Sequence, residues 1–293
     1  MDLILTVAEV TAPVFILAAI GFAWVRAGFD YRMEFVTRLA MTISLPSLIF
    51  VTLMQTEIDP KALTTVSLAA VVAYAGVTLA MWLLALAFRL EMRTYLAPLI
   101  FGNTGNLGLP LALFAFGSDG LGYAVVIFAI MAVYSFTAGI WLVSGGGSLV
   151  KVVKEPLVAG TLLGALFLWQ GWHTPEVVTN TLKLLGQIAI PLMLLTLGVA
   201  VARFRPQHLG RAAVLSLIKF AACTAIGWAA ARWFGLPPVA FAVLVLQVST
   251  PVAVTSYLLA EKYGADSEAV AGLVVASTLI SVLGLPAILA AVM

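Results

Sequence analysis

The chain has 293 residues, 63% of them hydrophobic and only 10% charged, with a mean hydropathy of +1.13 and a formal net charge of +2. Soluble domains average about 25% charged residues, so the composition is that of a polytopic membrane protein, and its small, scattered charge excludes a nucleic-acid partner. The single Cys223 excludes an internal disulfide, and one cysteine with two histidines cannot make a zinc site, so no metal is expected.

A membrane helix needs about 20 apolar residues. The first such segment, near 4–25, has no basic leading region and no clear small-residue cleavage site. It therefore reads as a first span rather than a signal peptide. The second, near 35–54, carries Pro46, and the third lies near 64–88. The fourth, near 95–116, contains Gly102-Asn-Thr-Gly-Asn-Leu-Gly-Leu-Pro110, which is hostile to a helix and begins about eight residues in from Tyr95. At helical rise that is about 12 Å deep, close to the bilayer midplane. Pro110 lacks an N–H and obstructs the bond to the carbonyl of residue 106, while Asn103, Thr104 and Asn106 bring polar groups that hydrocarbon rejects.

A fifth span near 121–143 runs into Ser144-Gly-Gly-Gly-Ser148, Lys151 and Lys154, a cytoplasmic linker expected over 144–155. Spans six and seven lie near 156–172 and 178–201, the latter carrying Gln187 and Pro191. Span eight, near 212–234, holds Lys219 about eight residues past Arg211. Span nine, near 238–260, is interrupted like span four, by Leu246-Gln-Val-Ser-Thr-Pro251 and then Thr255 and Ser256. Span ten lies near 269–292. With the N-terminus outside, 11 of the 15 basic residues fall in inside loops: Arg26, Arg32, Arg38, Arg89, Arg93, Lys151, Lys154, Arg203, Arg205, Arg211 and Lys262. Lys61, Lys183 and Arg232 stay outside. This bias predicts both termini outside.

Two halves of the chain resemble each other. Pro13, Gly21 and Gly28 align with Pro156, Gly164 and Gly171 at an offset of 143, Pro46 with Pro191 at 145, and Gly117 with Gly264 at 147. The fold expected is an all-α polytopic membrane protein of ten transmembrane helices in two five-helix repeats, 1–143 and 156–293. An odd number of spans per repeat inverts the second copy, an arrangement typical of secondary transporters.

Irregular backbone at mid-depth persists only where it is buried in protein or lines a watery cavity. One broken span per repeat is the strongest sequence pointer to a transport site, and it gathers Asn103, Asn106, Gln247, Ser249, Thr250 and Pro251. Broken helices expose N–H groups suited to an anion and carbonyls suited to a cation such as Na⁺. No Asp or Glu lies in a span core, Glu9 coming closest, so an organic anion fits better than a cationic substrate. Lys219 is either a charge partner or a lysine that snorkels to the inner interface. Gln187, Pro46 and Pro191 are candidate lining residues, with packing the competing role. Tyr134 and Ser135 read as packing residues, and His173 and His208 as surface residues.

The segments GNTGNLGLPL and STPVAVTSYLLAEKYGAD resemble the auxin efflux carrier family, which includes PIN-type auxin carriers and bacterial carriers linked to malonate, malate and similar acids. The pattern is carried by Asn103-Thr104, Gly108 and Pro110, and by Pro251 followed by Ala260-Glu261-Lys262-Tyr263. The resemblance implies that helices 4 and 9 cross near the membrane centre with an anion beside the crossing. It assigns a role to Asn103, Asn106, Pro110 and Pro251, and it implies a homodimer in a bacterial inner (plasma) membrane. Gly102 stands where plant relatives have proline. Related sodium-coupled bile-acid carriers use an acid at the position where this crossover offers Gln247.

The function expected is secondary transport of a small organic anion, a carboxylate, by efflux or uniport. No cofactor is expected, and Na⁺ coupling is weakly supported. The alternatives are a sodium- or proton-coupled symporter of the bile-acid-carrier type and, further off, an anion channel. An enzyme is not expected: the chain has no HExxH, no paired intramembrane aspartates and no loop long enough for a catalytic domain.

Overall fold

The computed structural model describes residues 3–144, 156–204 and 209–293, and within them every regular element is helical. The expected linker beyond Ser144, with Lys151 and Lys154, and the loop residues Arg205 and His208 lie outside the described residues. The helices are α1 (Leu3–Arg26), α2 (Met33–Gln55), α3 (Pro60–Ala87), α4 (Met92–Ile100), α5 (104–116), α6 (118–144), α7 (Pro156–Gln170), α8 (Glu176–Arg203), α9 (Leu209–Trp233), α10 (Pro238–Val248), α11 (Val254–Tyr263) and α12 (Ser267–Val292). Among the described residues, seven helical runs are long and apolar enough to cross a membrane, accompanied by the shorter apolar α7 and α10.

The longest run, Thr104–Ser144, has 41 residues. At roughly 1.5 Å a residue a straight helix of that length would be twice as long as the hydrocarbon layer is thick. Gly117 resolves this, with φ 63° and ψ −148° inside otherwise helical backbone. The chain folds back there, so a Cβ on Gly120 would strike the Ala112 carbonyl. Further along, the Phe101 and Tyr134 rings meet edge to face at 5.2 Å, and Arg93 Nε donates to the Val143 carbonyl at 3.1 Å. The two segments expected as spans four and five are therefore antiparallel neighbours joined at Gly117.

Three prolines each follow a locally altered turn. A π-turn at Ala40–Ser44 precedes Pro46, a second at Thr104–Gly108 precedes Pro110, and α8 is interrupted at Ile188 before Pro191. A proline ring clashes with the carbonyl four residues earlier, and a wider or irregular turn moves that carbonyl aside.

The helices pack as two groups. In one, α1 lies along α8 and α2 along α7, with α2 also touching α8; the remaining helices make up the other. Small residues bring backbones together, as in membrane helix pairs generally. A Cβ on Gly21 would lie 2.9 Å from Leu195 Cα, and one on Gly198 would lie 2.8 Å from the Phe22 nitrogen. Across α2 and α7, Gly164 meets Phe50 Cα in the same manner, at 3.1 Å, and Gly160 meets Pro46 Cα at 3.0 Å. We expect Gly198→Leu to separate α1 from α8 and lower the melting temperature in detergent by more than any solvent-facing substitution. Overpacked sites lose about 1–3 kcal/mol, and more when backbone must move. A thermal melt followed by size-exclusion chromatography checks this.

Several of the arginines are tied into one end of the molecule. Arg93 Nη2 donates to the Tyr263 carbonyl at 3.1 Å, the Arg211 guanidinium stacks over Tyr95, and the Phe204 and Tyr257 rings join α8 to α11. Arg203 acts electrostatically on Tyr31 at the same end.

Candidate binding site at a crossing of two broken helices

Two unwound strands of backbone, Phe101–Asn103 and Ser249–Ala253, cross in the middle of the second group of helices. They pair with each other. Gly102 and Val252 form an isolated antiparallel bridge, Asn103 N donates to the Pro251 carbonyl at 2.6 Å, and Ala253 N donates to the Phe101 carbonyl at 3.4 Å. This pairing supplies hydrogen bonds to backbone that would otherwise be orphaned deep in an apolar layer. The residue at position 102 has to be glycine for the approach, because a Cβ there would collide with Thr250 Oγ1. Gly108 is pressed as closely against the Gln247 side chain.

Pro251 stands in its unwound strand. Pro110 does not: it lies in the second turn of α5, just after the Thr104–Gly108 π-turn, whose wider winding moves aside the carbonyl its ring would strike. The span-four break falls at Phe101–Asn103, at the start of the interruption read in the sequence, and the Thr104–Gly108 π-turn accommodates the Pro110 ring.

Of the polar residues expected at the site, the crossing brings together Asn103, Thr104, Gln247, Ser249 and Thr250, all buried. Their hydrogen bonds divide them. Thr250 Oγ1 donates to the Gln247 carbonyl at 2.7 Å. Thr224 Oγ1 donates to the Phe220 carbonyl, so in the 3.0 Å contact between Thr224 and Ser249 it is Ser249 that donates. Both hydroxyl protons are thus committed to the fold. By contrast Asn103 Nδ2, Thr104 Oγ1 and both amide atoms of Gln247 are buried with no partner. An orphaned buried polar group costs about 1–3 kcal/mol, and four such atoms gather around this one crossing.

Asn106 is set apart from this cluster. It faces a cavity of about 30 Å³ between the two helix groups, lined also by Thr37, Met41, Met193, Thr196, Thr255 and Leu258. That volume suits about one ordered water. Tyr31 closes over it from the basic end. Thr196 Oγ1 donates to the Leu192 carbonyl, so the 2.7 Å contact with Tyr31 has the phenol as donor. Burial raises the Tyr31 phenol above its ordinary value, outweighing the lowering by the Thr196 bond and by Arg203, which keeps it a donor. A larger cavity of about 250 Å³ lies at the basic end beside Tyr95, Arg211, Asp266 and Glu268.

Lys219 does not snorkel. Its side chain is among the largest that are fully buried, and among the described residues its amine donates to Cys223 Sγ at 3.8 Å. Cys223 is on the same helix, one residue before Thr224 and its contact to the crossing. Gln187 and Pro191 are exposed on α8 and fall outside the lining of the Asn106 cavity, and Pro46 packs against Gly160. His173 is exposed, as expected, and Tyr134 and Ser135 pack beneath Phe101 and beside Arg93. Three residues of the site carried no sequence signal: Ser277, whose Oγ accepts from Val252 N at 2.9 Å, Thr224, and Met193. Each is brought there by tertiary contacts alone. Among the described residues no group of three or more His, Cys, Asp or Glu is placed to hold a metal.

Comparison with known proteins gives the family. Residues 140–289 match the model of a family described as "Membrane transport protein". The match covers the second broken helix and about half of the chain. An "Uncharacterized transporter" of Methanothermobacter thermautotrophicus is 28% identical over 191 residues, 63% of each chain. Another from Methanocaldococcus jannaschii is 25% identical over 199 residues, 62% of each. The chain thus spans just under two thirds of the length of the curated relatives it matches. The resemblance to auxin efflux carriers read in the two broken helices is upheld, and the chain belongs to the membrane transport protein family of auxin efflux carrier-like transporters rather than to a family of enzymes.

Proposed function

We infer that the protein is a secondary carrier of small organic anions, carboxylates, which bind at the crossing of the two broken helices. The observation that carries this is the set of orphaned buried groups, Asn103 Nδ2, Gln247 Nε2 and Thr104 Oγ1, at a point where helix ends meet in the absence of any nearby carboxylate. Amide and hydroxyl donors with a helix-end field favour an anion. Asn103 and Gln247 would donate to the carboxylate at the crossing, and Asn106 would donate to it from the adjoining cavity. Ser249 and Thr250 hold the strands, Pro251 keeps the second strand out of the helix, and Lys219, buried on α9, would be the charge partner.

The reading extends to ten crossings in two inverted repeats, 1–143 and 156–293, joined by the 144–155 linker. The paired contacts Gly21 with Leu195 and Gly164 with Phe50 support it, since they exchange under the offsets of 143 and 145 found in the sequence. The α1, α2, α7, α8 group would be the scaffold against which the crossing group moves. The positive-inside rule favours the Arg93–Arg211 end in the cytoplasm and both termini outside, and the resemblance to auxin efflux carriers suggests a homodimer in a bacterial inner membrane. Uniport or efflux is favoured over sodium or proton coupling, because the crossing offers no carboxylate.

Transport of mono- and dicarboxylates into liposomes by Asn103→Ala and Asn106→Ala tests the assignment. Both variants should lose most of their activity, and undiminished transport in both would sink it. Currents recorded with and without a Na⁺ or pH gradient then decide the coupling. Lys219→Met should raise thermal stability while reducing anion transport, because replacing a buried unpaired charge with an apolar side chain of similar volume relieves desolvation. Unchanged transport would remove Lys219 from the site.

A further inference from the structure

Hydrogen bonds tie each of the two helix groups together internally. Tyr31 donates to Thr196 within the first, while Arg93 donates to the Tyr263 carbonyl, Ser249 to Thr224 and Val252 N to Ser277 within the second. Around the Asn106 cavity the boundary between the groups includes Met41 and Met193 from the first and Val254 and Leu258 from the second. Apolar contact of this kind is not directional, so it joins the groups without fixing their register.

One contact on this boundary is more specific. The Phe204 and Tyr257 rings lie 4.4 Å apart between centroids, tilted by 41°. Phe204 ends α8, its N–H held by the Ala200 carbonyl at 3.0 Å, and so belongs to the first group. Tyr257 is on α11, whose last carbonyl is held by Arg93, and so belongs to the second. Among the described residues the other ring pairs stay inside a group, as Phe50 with Phe167 and Trp228 with Phe241 do. Position matters as much as partnership. Phe204 lies about two turns beyond Thr196, towards the Arg203 end of α8, and Tyr257 lies between Thr255 and Leu258; Thr196, Thr255 and Leu258 all line the Asn106 cavity. The ring pair therefore stands between that cavity and the end that carries Arg203.

We propose that Phe204 and Tyr257 form a gate that shuts the Asn106 cavity from the Arg203 end, and that their rings part when the two groups move. This rests on the carrier reading above and adds to it the contact that has to break in each cycle. An aromatic pair suits the role. It covers a large area at a single point, and parting it orphans no hydrogen bond on either side.

The test uses the full chain purified in detergent and carrying Cys223→Ala, which removes the single native thiol, with Val254→Cys as reporter. Val254 is buried on the lining of the Asn106 cavity, so the rate at which a charged methanethiosulfonate labels the new thiol reads the opening of the gate. Phe204→Ala and Tyr257→Ala should each speed labelling by about two- to tenfold, the factor by which losing one aromatic pair shifts a two-state equilibrium. Tyr257→Phe keeps the ring and should label at the parent rate. Either alanine variant decides the matter if the other does not fold. Separately, joining Phe204→Cys to Tyr257→Cys with a short bis-methanethiosulfonate, again with Cys223→Ala, should stop carboxylate transport in liposomes, and dithiothreitol should restore it. Unchanged labelling in the alanine variants, or full transport by the tethered protein, overturns the gate while leaving the anion carrier standing. Absence of carboxylate transport by wild type overturns the carrier reading, and the labelling rates still decide the gate.

Discussion

Gln247→Leu should make the empty protein more stable and the carrier nearly inactive. Both atoms of the Gln247 amide are buried and unpartnered, and the residue is wholly shielded. Replacing orphaned polar atoms with an apolar group of similar shape recovers their desolvation cost of about 1–3 kcal/mol. That is several degrees in melting temperature for a chain of this size, at about 2–4 °C per kcal/mol. The same change deletes a donor to the bound anion, and hydrogen bonds to charged groups are worth about 1.5–3 kcal/mol, or roughly 10- to 150-fold in affinity. Opposite signs in the two readouts are the mark of a residue kept for function at the expense of stability. A glutamine that only packs would show a fall in both.

Gly102→Ala should be far more damaging than alanine is elsewhere in a membrane helix. The new Cβ would collide with Thr250 Oγ1 and stand 3.2 Å from the Thr250 carbonyl, in the one place where the two unwound strands pair. Relief requires the strands to part, which would break the bonds from Asn103 to Pro251 and from Ala253 to Phe101. We expect transport to be lost and thermal stability to fall by about 1–3 kcal/mol or more. Because the nearest clash is with a hydroxyl, Thr250→Ala should partly rescue the variant. A double-mutant cycle should therefore show coupling of the two positions well above the few tenths of a kcal/mol expected for independent sites. Additive losses would mean that the strands are not held by this contact.

These two residues also show what was legible beforehand. Span positions followed from apolar length alone, and the reversal at Gly117 fell in the gap expected between two of them. The two breaks were visible because polar, proline- and glycine-rich stretches interrupt apolar ones at mid-depth. Their extent was not. The first break begins at Gly102 as read, but the helix resumes at Thr104, before Pro110, since the π-turn ahead of the proline moves the offending carbonyl aside. The division of the polar residues was equally hidden. Ser249 and Gln247 look alike as candidate ligands, and only Thr224, 25 residues away, commits the serine and leaves the glutamine unpaired. Lys219 is the same kind of case, because the choice between snorkelling and burial depends on side-chain direction and on the Cys223 sulfur one turn away. Met193 and Ser277 lie in ordinary apolar periodicity and acquire their roles only when α8 and α12 dock.

The most direct measurement is the location of a bound anion. A structure of the protein soaked or frozen with 3-bromopropionate, located by its bromine, should show the carboxylate within hydrogen-bonding distance of Asn103, Asn106 or Gln247 beside the paired strands. An anion found only in the larger cavity at the basic end, against Arg211 and Tyr95, with the crossing unchanged and its amides still unpaired, would contradict the account.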